Sequence, residues 1–184
     1  MIEKKKILLL SCCAPCSCAV IKKLHDDGVD FTVLFYNPNI HPEAEYIKRR
    51  DEQKKLCDKW HIPFVELEYN PKDWLALTSE YKDEPERGKR CFLCFEYRLT
   101  RTMLYAKENG FNAVASVLGV SRYKDLNQVN TAAYQASDKT HVPYIEIEGR
   151  KHGMQEERTR LIKELKLYNQ QYCGCVYSMK NLQN

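Results

Sequence analysis

The chain has no apolar run approaching the ~18 residues of a membrane-spanning helix. Its basic start, Glu3-Lys4-Lys5-Lys6, precedes only Ile7-Leu8-Leu9-Leu10, shorter than the ~7–15 apolar residues of a secretory signal core. No membrane partner and a cytoplasmic location are therefore expected. There is no Walker A pattern, no GxGxxG and no SGGxDS-like loop after the first apolar run. The usual phosphate-cradling loops are thus missing. The five histidines (His25, His41, His61, His141, His152) form no HExxH pair and read as surface or capping residues. Charge excess is small: 29 Lys and Arg against 25 Asp and Glu give a formal +4. That permits an anionic partner without demanding one. Internal repeats, low-complexity stretches and linkers are lacking too. Residues 1–184 therefore read as a single domain, long enough for a hydrophobic core without disulfide staples.

What the chain does have is cysteine. Of nine, eight fall in three groups: Cys12-Cys13-Ala14-Pro15-Cys16-Ser17-Cys18, Cys91-Phe92-Leu93-Cys94 and Cys173-Gly174-Cys175. Only Cys57 stands alone. In a reducing compartment, dense cysteine points to a soft metal or to redox chemistry more than to structural disulfides. The odd count also fits poorly with a fully paired framework.

The layout is that of an α/β domain. Short apolar segments at 7–10, 31–36, 64–68, 113–118 and 144–147 read as strands. Helical patterns occupy 19–25, 43–60, 91–109 and 127–137, and resume from 154 onward. The prolines and asparagines of 37–42 mark a loop, and 70–89 reads as a short helix followed by an exposed loop. Strands alternating with helices imply a mostly parallel sheet covered on both faces. Ligands in such sheets bind beyond the carboxyl ends of the strands. Cys12 and Cys13 leave the first strand there. Cys16 and Cys18 enter the next helix, where free N–H groups and the helix dipole stabilise thiolates.

Each group admits more than one chemistry. Cys12 and Cys13 would point to opposite faces of a regular strand and can converge only if Ala14-Pro15 turns the chain. Cys91 and Cys94, three apart on a helix, share a face, as suits zinc, an iron–sulfur cluster or a dithiol pair. Cys173 and Cys175 flank a glycine that permits a sharp bend. A disulfide across one residue would be strained and easily reduced, while a role as two further metal ligands remains the alternative. Cys57, on an amphipathic helix, and Cys18 read as core residues.

Taken together, several segments resemble the QueH family, the cobalamin-independent epoxyqueuosine reductases. They are Cys12-Cys13-Ala14-Pro15-Cys16-Ser17, Phe35-Tyr36-Asn37-Pro38-Asn39-Ile40, Glu45-Tyr46 with Arg49, Gly88 with Arg90-Cys91 and Cys94, and Tyr172-Cys173-Gly174-Cys175-Val176-Tyr177-Ser178. They run from near one end of the sequence to near the other. The resemblance implies a nucleotide α-hydrolase-like Rossmann domain that reduces epoxyqueuosine to queuosine at the wobble position of tRNAs with GUN anticodons. It implies a [4Fe–4S] cluster on Cys12, Cys13, Cys91 and Cys94, and a redox-active pair at Cys173 and Cys175. A second metal ion, iron, near Cys16 is a further expectation, and the electron donor is unidentified. The competing readings are an iron–sulfur tRNA sulfur-transfer or desulfidation enzyme and a zinc-stabilised nucleic-acid-binding domain without catalysis. Tyr36 and Tyr172 are candidates for base stacking, and the run Arg87-Gly88-Lys89-Arg90 for phosphate contacts.

Overall fold

The computed structural model describes residues 6–179. Five strands form one all-parallel sheet: β1 Ile7–Ser11, β2 Phe31–Phe35, β3 Phe64–Glu66, β4 Ala113–Ser116 and β5 Tyr144–Ile145. Their spatial order is β3-β2-β1-β4-β5. β1 is central, pairing Leu10 with Leu34 of β2 on one side and with Ser116 of β4 on the other. Buried on both faces, it needs no alternation, and Leu8, Leu9 and Leu10 are fully buried. Each such side chain contributes about 1.5–3 kcal/mol relative to exposure.

Seven helices connect or flank these strands among the described residues: α1 Ala14–Asp26, α2 Glu43–Lys59, α3 Pro71–Thr78, α4 Lys89–Glu108, α5 Leu126–Thr140, α6 Met154–Glu164 and α7 Val176–Met179. A 3-10 turn, Ser79–Tyr81, follows α3. α1 packs on α2 and α6, whereas α4 packs on α3 and α5. None of the described helices is long and apolar enough to cross a membrane.

The expected elements are present with shifted ends. The first helix begins at Ala14, five residues earlier than its apolar periodicity indicates, because Pro15 suits a first helical turn. The edge strands β3 and β5 are shorter than their apolar runs. Leu67 is nearly buried yet lies past the end of β3, so side-chain burial continues where strand pairing stops. α5 starts on a side-chain cap: Asp125 accepts from the backbone N–H groups of Asn127 and Gln128.

The strand order makes a switch point. From β1 the chain proceeds outward through β2 and β3, then returns to the other side of β1 with β4 and β5. The connections leaving β1 and β4 therefore diverge at neighbouring carboxyl ends, and a crevice opens between them.

Candidate metal centre

Cys12 is the first residue beyond β1, and the turn at Ala14-Pro15 folds its segment back. The sulfurs of Cys12 and Cys13 lie 3.8 Å apart, and those of Cys12, Cys13 and Cys16 all lie within 4.8 Å of one another. All three residues are buried. Gln53 of α2 holds this segment from behind: its Oε1 accepts from the hydroxyls of Ser11 (2.7 Å) and Ser17 (2.9 Å). Its Nε2 lies 3.7 Å from the Cys57 sulfur. Cys57 and Cys18 are wholly buried core residues, as the sequence indicates.

A cavity of about 700 Å³ opens above these thiols. Cys12 and Cys16 line it from one wall, Cys91 and Cys94 at the start of α4 from another, and Cys173 and Cys175 from a third. The three cysteine groups thus meet at one place. All nine cysteines are free thiols. The tail segment is fastened by backbone contacts. Arg49 donates to the carbonyls of Cys173 (3.0 Å) and Tyr172 (3.2 Å). His41 N–H donates to Gly174 O (2.7 Å), and the Tyr172 hydroxyl donates to His41 O (2.6 Å). Gly174 has φ of +113°, and a Cβ there would stand 2.9 Å from Arg49 Nη1. Glycine is required on both counts. Beyond it Cys175 packs with Trp74 and Cys94 in a small apolar cluster.

Cations surround the thiols. Lys124, on the loop after β4, places Nζ 3.9 Å from the Cys12 sulfur. Arg98 of α4 is buried, donating to Tyr36 O and to Asn37 Oδ1. Arg49 is buried in an ion pair with Glu45 at 2.6 Å. Hydrogen bonds from the Cys13 and Cys16 thiols hold Cys12 well below an ordinary thiol, and Lys124 and Arg98 add to this against burial. Cys16 rises, first through its hydrogen bonds to Cys12 and Cys13. Burial pushes Cys13 up to about 12 and Cys91 to about 11. Burial alone would lower the Lys124 ammonium, but the Cys12 and Cys173 thiolates outweigh it and the net shift is upward. At the tail, a hydrogen bond from Cys175 lowers Cys173, helped by Lys124 and Arg98, and the same bond raises Cys175.

Soft sulfur donors, six of them lining one cavity with Cys13 beside them and buried cations close by, are a donor set that fits an iron–sulfur cluster. A sequence profile of the epoxyqueuosine reductase QueH family matches residues 7–181. The chain belongs to the QueH family. The epoxyqueuosine reductase QueH of Histophilus somni is 45% identical over 177 residues, covering 96% of this chain and 73% of that protein. Those of Acinetobacter baylyi and Thermotoga maritima are 41% and 34% identical. They are covered over 81% and 90% of their lengths, with 96% and 94% of this chain aligned. The U34-tRNA thiolase NcsA of Methanococcus maripaludis, solved with its [4Fe-4S] cluster, has the same fold. Its TM-score is 0.54 at 14% identity, with 95% of this chain and 61% of that chain covered. This likeness bears out the expected Rossmann-like architecture.

The structure redistributes several expected roles in this QueH-family site. Arg90 is buried: it donates to the carbonyls of Tyr81, Lys82 and Glu84 and lies over the Tyr177 ring. Arg87 donates to the carbonyls of Arg122 and Tyr123. The basic run 87–90 thus serves the protein's own backbone more than an open phosphate surface. Tyr36 is buried against Tyr97, away from the cysteine cavity, and offers no face for a base. Tyr172 does line the cavity. Lys124, Arg98, Gln53, Trp74 and Gln170 carry no motif and escaped sequence reasoning. Gln170 illustrates why: its Nε2 reaches the Cys13 sulfur at 2.7 Å across 157 residues of sequence.

Proposed function

We propose that this chain is an epoxyqueuosine reductase, acting on tRNA in queuosine biosynthesis through a thiol-lined metal centre. Family membership supports the activity, and the observation that carries the site is the convergence of three distant cysteine groups on one cavity. We take residues 1–184 as one reductase domain working in the cytoplasm, without cobalamin, on tRNA with a GUN anticodon.

Cys12, Cys13, Cys91 and Cys94 would hold a [4Fe–4S] cluster. Each thiolate of a four-iron cluster binds a different iron, so the sulfurs need converge less tightly than around a single ion. The tighter trio of Cys12, Cys13 and Cys16 leaves Cys16 as a ligand for a second metal ion, iron. Such a cluster supplies electrons one at a time.

Converting the epoxide to an alkene breaks two C–O bonds, takes up two electrons and two protons, and releases water. A Cys173/Cys175 thiolate–thiol pair can provide both electrons on closing to a disulfide, with one proton from Cys175 and the other from Lys124, and an external donor must then reopen the disulfide. The two thiols are unequal in a way that suits this. Cys173 is exposed to the cavity and holds its charge easily, while Cys175 is buried, keeps its proton and touches the Ser178 hydroxyl at 3.4 Å. Lys124, near Cys12 and facing the same space, can hold a proton for the departing oxygen. At the cavity wall the buried amide oxygens of Asn39, Gln128 and Gln170 find no partner among the described residues. They suit the N–H donors of a guanine-like base.

The test is anaerobic turnover of an epoxyqueuosine-bearing anticodon stem-loop, with nucleoside analysis by mass spectrometry. Formation of queuosine with iron and acid-labile sulfide in the protein is expected. A zinc-only protein that leaves the epoxide intact would overturn the proposal.

A further inference from the structure

The loop between β4 and α5 is strapped from outside by two arginines. Arg150 donates to the carbonyls of Gly119 (2.7 Å), Ser121 (2.5 Å) and Lys124 (2.7 Å). Arg87 donates to those of Arg122 and Tyr123, both at 3.0 Å. Five consecutive-to-near carbonyls are thereby fixed by two guanidinium forks. Gly149 allows the strap to close, since a Cβ there would stand 2.5 Å from Val120 Cγ2. A loop held this firmly has defined side-chain directions. Lys124 points inward to Cys12. Tyr123, its neighbour, is 82% exposed, the most exposed large hydrophobic among the described residues.

That exposure has no packing explanation. Holding a bare aromatic ring in water on a pinned backbone gains nothing for the fold, but it lowers the entropy cost of stacking a planar ligand on it. Its position is also informative. Tyr123 lines the cysteine cavity and equally an adjoining groove of about 840 Å³. That groove carries Arg122 and Lys163 against Glu156, with Arg158 beside them keeping its two terminal nitrogens for a ligand while its Nε donates to Pro15 O (2.7 Å), and Arg160 is already paired with Glu157 and Glu164. An aromatic ring at the mouth of a reaction cavity, beside a groove of net positive charge, is the arrangement that seats single-stranded nucleic acid: bases stack and phosphates follow the cations.

We infer that Tyr123 is a stacking platform for a nucleobase flanking the modified one, with the Arg122, Arg158 and Lys163 groove receiving the adjoining phosphates of the anticodon loop. The inference rests on the proposed RNA substrate and specifies how that substrate docks. It moves the RNA surface from the 87–90 run to the β4–α5 loop and α6. Arg87 and Arg150 act through the loop as positioning residues and do not touch RNA.

The experiment measures the Kd of a fluorescent anticodon stem-loop with guanosine at the wobble position, using the cluster-containing protein, by anisotropy across salt concentrations. Tyr123→Ala should weaken binding about tenfold, within the range of one lost base stack, with iron content unchanged. Tyr123→Phe should bind within about twofold of wild type, since the ring and not the hydroxyl is used. Arg122→Ala should reduce the salt slope by about one. Unchanged affinity in Tyr123→Ala would overturn the platform. So would unchanged RNA affinity combined with slower reduction of the centre, because that would give this face to the electron donor. Wild-type protein that binds the stem-loop tightly but never reduces epoxyqueuosine would instead remove the reductase reading and leave the platform standing.

Discussion

Two walls of the same cavity hold their thiols with unequal grip. Cys12, Cys13 and Cys16 run from the end of the central strand into the first turn of α1, and are tied back through Ser11, Ser17 and Gln53. Cys173 and Cys175 lie between α6 and the four-residue α7, and are fastened mainly by Arg49, His41 and Tyr172. One wall belongs to the core and the other is pinned onto it. Metal ligands benefit from the first arrangement, because a fixed geometry favours one coordination. The dithiol–disulfide cycling proposed for Cys173 and Cys175 would benefit from the second, because the sulfurs of such a pair must move by ångströms as the bond opens and closes.

The comparison breaks first at the metal. We expect Cys91→Ser, or the same change at Cys12, to lose most of the iron and all measurable turnover. Full iron and full activity in Cys91→Ser would dissolve the division between holding and cycling thiols. On the tail side, Cys173→Ala and Cys175→Ala should retain iron and the visible absorbance of the cluster while failing in multiple turnover. Cluster loss in either would make the tail a ligand wall like the other.

Reactivity sharpens the contrast. The hydrogen bond from Cys175 lowers Cys173 to about 6, so its thiolate prevails at pH 7. Its iodoacetamide labelling should therefore persist at neutrality and fade only as pH falls through about 6. Cys57, pushed up to about 12 by burial, should stay unlabelled throughout. Peptide mapping by mass spectrometry reads both sites in one sample.

Smaller effects test the fastening. Gly174→Ala forces a side chain into a left-handed backbone and against Arg49. A displacement worth about 1.4 kcal/mol at the transition state would slow turnover about tenfold, with iron content preserved. Arg49→Met should cost about 1–3 kcal/mol of stability, because the carbonyls of Tyr172 and Cys173 lose their donor and half-buried Glu45 keeps only the Tyr168 hydroxyl. Denaturant midpoints would show it. Cys57→Ala, outside the cavity lining, should cost only about 1 kcal/mol and leave turnover intact.

Much of this was legible in the chain. The apolar runs at 7–10, 31–36 and 113–118 name the three central strands because strands buried on both faces carry continuous hydrophobicity. The cysteine groups announced a thiol centre because few other demands cluster that residue type. Strand ends were less legible, since apolar side chains such as Leu67 stay buried after the ladder has ended.

The amino-acid sequence by itself determined the alternating α/β order, the three thiol groups and the family. Those are local signals, set by periodicity, turn chemistry and residue type over a few neighbours. Tertiary structure alone decided which charges serve the site. Arg49, Arg87, Arg90 and Arg150 look like surface cations in the sequence, yet each spends its guanidinium on backbone carbonyls. Lys124, unremarkable between Arg122 and Asp125 in the sequence, becomes the ammonium beside Cys12. The reason is physical: a long cationic side chain is directed by whichever acceptors the folded chain brings within about 3 Å, and for Arg49, Arg87 and Arg150 those acceptors lie tens of residues away in sequence, while Arg90 takes its own from the turn just before α4.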